Sequence, residues 1–401
     1  MTAARPVPGT EVSPAGSPTP TDVAVDRLRV VRESGWGTPV RFFQPRNAAV
    51  WVYIALVGPG LFLILHYVSS ATVVFGTPIT VAVVLFGLYG GLFWWFTQRI
   101  DRYAHLPRKL LVIAFLWGGF GAIFMASSAN TPVLSILGKV FGLSWASDWG
   151  AGIAAPIDEE LAKGLGLLLL IALASRAVST AFDGFILGAF IGLGFQIVED
   201  VTYAVAGAGA GFGADPSMST LKVVGVRMAL GFGAHIAYSA IFCTGLICFL
   251  GRPGQPRRVG VGLGLMLTAM LLHSVWDNTA GILGPAAPFA LVAWVVMTAI
   301  TLTIVVQIFR RTVGVERAYM RAVLAPEVEA GTITAEEAEA LAGDRKARKA
   351  YRQVAQDRDR RRLVLLAAHD LADELGSANG AETHRVSFAR GELARIRSRQ
   401  G

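Results

Sequence analysis

Eight apolar stretches run along the chain, each long enough to cross about 30 Å of hydrocarbon as a helix. They cover residues 48–67, 74–97, 110–129, 151–174, 184–206, 223–250, 260–280 and 287–309. Runs of this length predict an all-α fold, a polytopic membrane bundle of about eight transmembrane helices. Residues 130–150 are of mixed polarity and contain Trp145 and Trp149, which suit headgroup depth, so they read as an interfacial segment or short helix. Residues 1–20 lack an apolar core of the kind a signal peptide needs. They are rich in Pro, Gly, Ser and Thr, which extends to a reading of residues 1–47 as a disordered cytoplasmic tail. Past Arg310 the pattern turns charged and Ala-rich, and residues 310–401 read as a cytoplasmic helical tail. There Thr334 and Glu337 have the spacing of a capping box that opens a helix through residue 353, and a second helix is expected over 361–375. That second helix carries Leu363, Leu366 and Leu371 beside three arginines, a pattern that suits either a small bundle or the inner membrane face.

Composition agrees with the pattern. The chain is 53% hydrophobic and 16% charged, with mean hydropathy +0.52, too apolar for a soluble domain. The net charge of +8 comes from basic residues beside apolar spans, not from a compact basic domain, so nucleic acid is not an expected partner. The lipid bilayer is. The only two cysteines, Cys243 and Cys248, are five apart in one apolar span, which favours buried thiols over a disulfide or a metal motif.

Charge placement also orients the bundle. Arg41 and Arg46, Arg99 to Lys109, Arg176, Arg252 to Arg258, and Arg310 with Arg311 fall on alternate connections. With eight spans all of these lie on one side, so the positive-inside rule places both termini in the cytoplasm of a multi-pass inner (plasma) membrane protein.

Against this apolar background, Asp158, Glu159 and Glu160 sit together in the fourth span with Lys163 one turn on. Charged groups in hydrocarbon are costly unless they are paired or face a watered cavity. Glu199 and Asp200 in span five, His235 in span six, and His273 and Asp277 in span seven fall at similar depth, in the outer half of the membrane. Taken singly, each has a structural reading. Glu159 and Lys163 can form an i,i+4 salt bridge, and His235 can bond between helices. Asp277 can orient His273, Asp200 and Asp183 suit structural roles, and Arg227 is expected to snorkel to the interface. Their convergence at one level supports hydrolysis instead. Either a glutamate activates water beside a histidine, or glutamate and histidine side chains hold a divalent metal such as zinc that does so. The metal candidates are Glu160, Glu199, His235 and His273. The chain has no HExxH motif and no GxGD motif, and Gly142-Leu-Ser144 is followed by Trp145 where a rhomboid serine would have Gly.

Glu159-Glu160-x-x-Lys163, Phe195-x-x-x-Glu199, His235 and His273-x-x-Trp276-Asp277 together resemble the PrsW family of bacterial intramembrane proteases, within the wider CPBP group that includes CAAX prenyl endopeptidases. The resemblance spans residues 48–309. It implies cleavage of a membrane-anchored substrate, a single-span protein such as an anti-sigma factor, on the extracytoplasmic side. It also makes Glu159 the water-activating base with Glu160 beside it, and His273 with Asp277 an oxyanion-stabilising pair. Glu199 stands where the prenyl proteases have histidine, which points away from a prenylated substrate. Asp200 stands where PrsW-like chains usually have Asn. The competing functions are a proton-coupled transporter, since relays use the same residue types, and a non-proteolytic membrane scaffold.

Overall fold

The computed structural model describes residues 20–100, 106–231, 234–353 and 358–398, and every regular element among them is helical. Residues 1–19, and Arg102 of the topology argument, lie outside them. The chain runs α1 (Pro20–Ser34), α2 (Ala48–Ile100), α3 (Arg108–Leu116), a π-helical turn (Trp117–Ala122), α4 (Ile123–Phe141), α5 (Leu143–Leu173) and α6 (Ala181–Ala208). It continues with α7 (Pro216–Leu230), α8 (His235–Leu250), α9 (Val259–Asp277), the short α10 (Thr279–Leu283) and α11 (Ala290–Glu329). Four tail helices close it: α12 (Ala335–Ala342), α13 (Arg345–Gln353), α14 (Arg358–Ser377) and α15 (His384–Ser398).

Helix α2 has 53 residues, which at 1.5 Å each is about 80 Å, more than twice a hydrocarbon core. It is folded back on itself. Gly76 leaves helical geometry at φ 25°, ψ −100°, a conformation that glycine adopts at little cost. The first arm follows α3 and α4: the Tyr53 hydroxyl donates to the Ile113 carbonyl at 2.8 Å, and Gly60 lies against Phe120 and Phe124. The second arm descends α6 in reverse. Phe86 clusters with Val201, Gly90 faces Ile197, and Trp94 packs edge-on against Phe190 with centroids 4.8 Å apart.

By length and apolarity five helices qualify as membrane spans, and a sixth does if α7 and α8, bent by 41°, form one crossing. The folded α2 counts there once. Helix α5 is not among them because Asp158, Glu159, Glu160 and Lys163 sit mid-helix. Residues 130–150 are not a separate interfacial segment. They are the end of α4 and the start of α5, joined at Gly142 (φ 93°), with Gly150 packed on Leu134. Their mixed polarity belongs to the turn of a helical hairpin.

Cohesion in the bundle comes from close packing, because lipid is as apolar as the core. The helix α6 is buried along nearly its whole length. A Cβ at Gly192 would lie 2.3 Å from the His235 carbonyl oxygen, and one at Gly188 would lie 2.3 Å from that of Ser239. Only glycine lets α8 come this close, and that approach carries His235 to α6. The N-terminus of α6 is closed by Thr180 and Asp183 in a reciprocal capping box, which accounts for Asp183. Both cysteines are buried and free.

The basic connections gather at one end. Gln44 and Asn47 bond the carbonyls of Leu173 and Ala172, Arg252 bonds those of Val178 and Ser175, and Gly254 donates to Ser179. At that end a second core forms, and it corrects the expectation of a disordered tail to residue 47. From Pro20 the chain is helical, and α1 lies on the end of α11, burying Val30, Val31 and Trp36 with Met320, Val323 and Leu371. Arg27 fixes this contact by donating to the Val323 carbonyl at 2.8 Å and to Glu327 at 2.9 Å, and Arg390 of α15 grips the same carboxylate from the other side. The Thr334–Glu337 capping box is present. The helix it opens stops at Gly343, and Asp344 caps a separate α13.

Candidate active site

Helix α5 presents Glu159, Glu160 and Lys163 on one inward face, with i,i+3 and i,i+4 spacing from the lysine. All three are buried. The Lys163 ammonium donates to Glu160 Oε1 at 3.0 Å, to Glu159 Oε2 at 3.2 Å and to His235 Nδ1 at 3.0 Å, and it lies 3.8 Å over the Phe195 ring. An ammonium can only donate, so Nδ1 of His235 accepts and its proton resides on Nε2. That Nε2 donates to Glu199 Oε2 at 2.8 Å.

Helix α9 brings His273, whose Nε2 lies 3.3 Å from Asp277 Oδ2 and 3.7 Å from Glu159 Oε2. Its ring stacks on Tyr238 at 5.2 Å. The end of α9 is held to α5 by Asn278, which accepts from the Gly152 amide at 3.2 Å. Nδ1 of His273 sits 3.3 Å from Glu160 Oε1, yet it makes no aligned hydrogen bond, and Glu160 Oε2 is likewise buried without a partner.

All six expected residues therefore meet. Asp158, which adjoins them in sequence, joins none of these contacts. Arg227 departs from the snorkelling expectation. It turns inward from α7, pairs with both Glu199 and Asp200, and stacks 4.2 Å from the Tyr203 ring. Two acids on α6 offer a desolvated guanidinium more than the interface does. The sequence reading missed two residues. Gln196 donates to Asp200 at 2.8 Å and accepts the His235 backbone N–H at 3.2 Å. Tyr238 packs beside both histidines. A buried amide one turn before an acid was the available signal for Gln196; nothing in the sequence marked Tyr238.

Glu159, His235 and His273 offer ligand atoms that all lie within 4.8 Å of one another. Glu160 and Glu199, expected as metal candidates, fall outside this group; Lys163 engages the first and Arg227 with His235 the second. A metal fits the three on two counts. Glu159 Oε2 is 3.5 Å from His235 Nδ1 and 3.7 Å from His273 Nε2, close to the roughly 3.3–3.6 Å separating ligands of one ion with bonds of about 2.0–2.2 Å. Five carboxylates, Glu159, Glu160, Glu199, Asp200 and Asp277, face only two fixed cations, Lys163 and Arg227, an imbalance a divalent ion would reduce. Lys163 shares two of the three prospective ligands, so the ammonium already supplies positive charge at this point.

Glu159 and Glu199 also line a cavity of about 800 Å³, between the first arm of α2, α4 and α6.

A family model described as PrsW family intramembrane metalloprotease matches residues 106–306. No curated protein and no solved structure matches the chain.

Proposed function

Because the chain belongs to the PrsW family of intramembrane metalloproteases, we propose that Glu159, His235 and His273 are its hydrolytic centre and that it cleaves a single-span membrane protein, anti-sigma-factor-like, near the extracytoplasmic face. The observation that carries this is Glu159: it joins the three-residue group that can hold a metal and also lines the cavity. A divalent ion bound by the three residues would polarise the scissile carbonyl and make water more acidic.

The chain's own groups do the remaining work. Glu159 Oε2 faces Lys163 and both imidazoles, and no hydrogen bond falls on Oε1, so Oε1 takes the proton of the attacking water. The water oxygen bonds to the carbonyl carbon, the C–N bond breaks, and the same carboxyl returns the proton to the leaving amine. Glu199 orients His235 through Nε2, and Asp277 stands beside His273. Glu160 anchors Lys163, which in turn holds Glu159 and His235.

The difference between the two ends of the bundle supports cleavage on the extracytoplasmic side. The basic connections meet at one end, whereas the cavity is walled by residues 60–70, 123–130 and 195–203, toward the other. A count of eight crossings, with α2 contributing two and α5 one, together with the positive-inside rule, supports the reading that both chain ends lie on the basic, cytoplasmic side of an inner membrane.

The test is purified protein in proteoliposomes with a single-span substrate. Glu159→Gln and His273→Ala should abolish cleavage while the protein stays folded, and His235→Ala should lower bound metal by direct elemental analysis. Wild-type cleavage by both of the first two variants would sink the assignment. Full activity after exhaustive chelation, with no metal left, would remove the metal from it.

A further inference from the structure

The cavity above the acids has one wall that the family match does not include. Its mouth is edged by His66, Tyr67 and Ser70 of α2, which lies N-terminal to residues 106–306. The opposite edge carries Ser127, Ser128 and Asn130 of α4. Resting on the protease reading, we propose that the substrate's membrane segment enters sideways through this gap between the first arm of α2 and α4, and that the α4 edge holds its unwound backbone beside Glu159.

Three observations carry the proposal. The cavity is continuous with the chemistry, since Glu159 and Glu199 line it. Two residues that line its α2 edge are large and exposed, Leu63 at 49% and Tyr67 at 43%, so that edge is within reach of an apolar segment from the bilayer. The α4 edge is polar inside an apolar helix, which is costly against lipid. Ser128 already donates to the Phe124 carbonyl at 2.7 Å, which leaves its oxygen to accept. Asn130 Oδ1 is buried without a partner.

These are acceptors, and acceptors are what an unwound helix requires. A helical peptide bond is shielded by its own turn, so cleavage demands a locally extended chain. Extension frees backbone N–H groups that hydrocarbon cannot satisfy, and the serine and asparagine oxygens can. The volume, about 800 Å³, lies in the range of sites that enclose a ligand rather than graze it. A substrate side chain beside the gap would meet His66 and Tyr67, so this chain's selectivity resides on α2.

The experiment uses full-length protein in proteoliposomes with Cys243→Ala and Cys248→Ala, and Glu159→Gln to hold substrate. The probe is a synthetic Leu-Ala helix of about 20 residues, with an Asn-Gly pair near its extracytoplasmic end and one cysteine beside that pair. Disulfide trapping is compared between Ser128→Cys and Leu267→Cys, the latter an exposed position on α9 outside the cavity. Trapping at Ser128→Cys should be faster by about a hundredfold, as expected when binding raises the local concentration. Equal or faster trapping at Leu267→Cys, or none at either position, overturns the portal. Cleavage of the same probe is read separately with Glu159 intact. Cleavage without trapping at residue 128 removes the portal and leaves the protease. Trapping at 128 with no cleavage removes the protease and leaves the portal. In the active protein, Ser128→Trp should raise KM for the probe about tenfold with little change in kcat, because it removes binding shared by ground and transition states.

Discussion

Replacing Arg227 by Met tests the electrostatics of the site. Its guanidinium is the shared partner of Glu199 and Asp200. Without it, Asp200, with a side chain 0% exposed, keeps only the Gln196 amide at 2.8 Å, and its Oδ2 already lacks a partner. Breaking a buried pair by deleting one member costs about 3–5 kcal/mol. Arg227 is itself 18% exposed, so the low end applies, about 3 kcal/mol after allowing for screening. That is roughly a hundredfold in the folding equilibrium. Asp200→Asn in the same chain removes the orphaned charge and keeps an acceptor for Gln196, so the double variant should recover about 2 kcal/mol. The assay is denaturant unfolding in mild detergent, read as a double-mutant cycle. Wild-type stability of Arg227→Met, or additive losses in the double variant, would refute the reasoning. Cleavage should stay impaired even in the stable double variant, because Glu199, which orients His235, has lost its second anchor.

Two further outcomes follow from packing. Gly192→Ala places a methyl 2.3 Å from the His235 carbonyl oxygen and should cost about 1–3 kcal/mol; separation of α8 from α6 should lower cleavage and bound metal together, and unchanged values for both would contradict the packing account. Arg27→Met removes hydrogen bonds to Val323 and Glu327 and should weaken α1 docking by about 1–3 kcal/mol. Limited trypsin digestion should then cut at Arg29 and Arg32 while the membrane bundle stays intact, and unaltered digestion would count against the clamp.

What the sequence disclosed followed what bilayers penalise. Apolar runs marked the spans, and costly charges within them marked Glu159, Glu199, His235 and His273, because hydrocarbon makes each such residue conspicuous. The same logic misjudged Arg227, since depth alone does not reveal a partner on another helix. Gln196 and Tyr238 stayed hidden because a buried amide or phenol among apolar neighbours resembles ordinary packing. Helix α1 was read as part of a disordered stretch for a different reason. Its residues are mostly polar, and the surface that orders it comes from α11 and α14, far along the chain.

That separation sets an order on how the protein is made. Arg27 and Glu327 are 300 residues apart, and a ribosome adding about 5–20 residues per second needs roughly 15–60 s to supply the second after the first. Throughout that interval α1 has no surface to settle on, while the spans that carry the proposed hydrolytic centre are entering the membrane. The core formed by α1 and the tail helices is therefore the last part to close, and a chain interrupted between residues 277 and 327 carries Glu159, Glu160, Glu199, His235, His273 and Asp277 with its N-terminal helix still undocked.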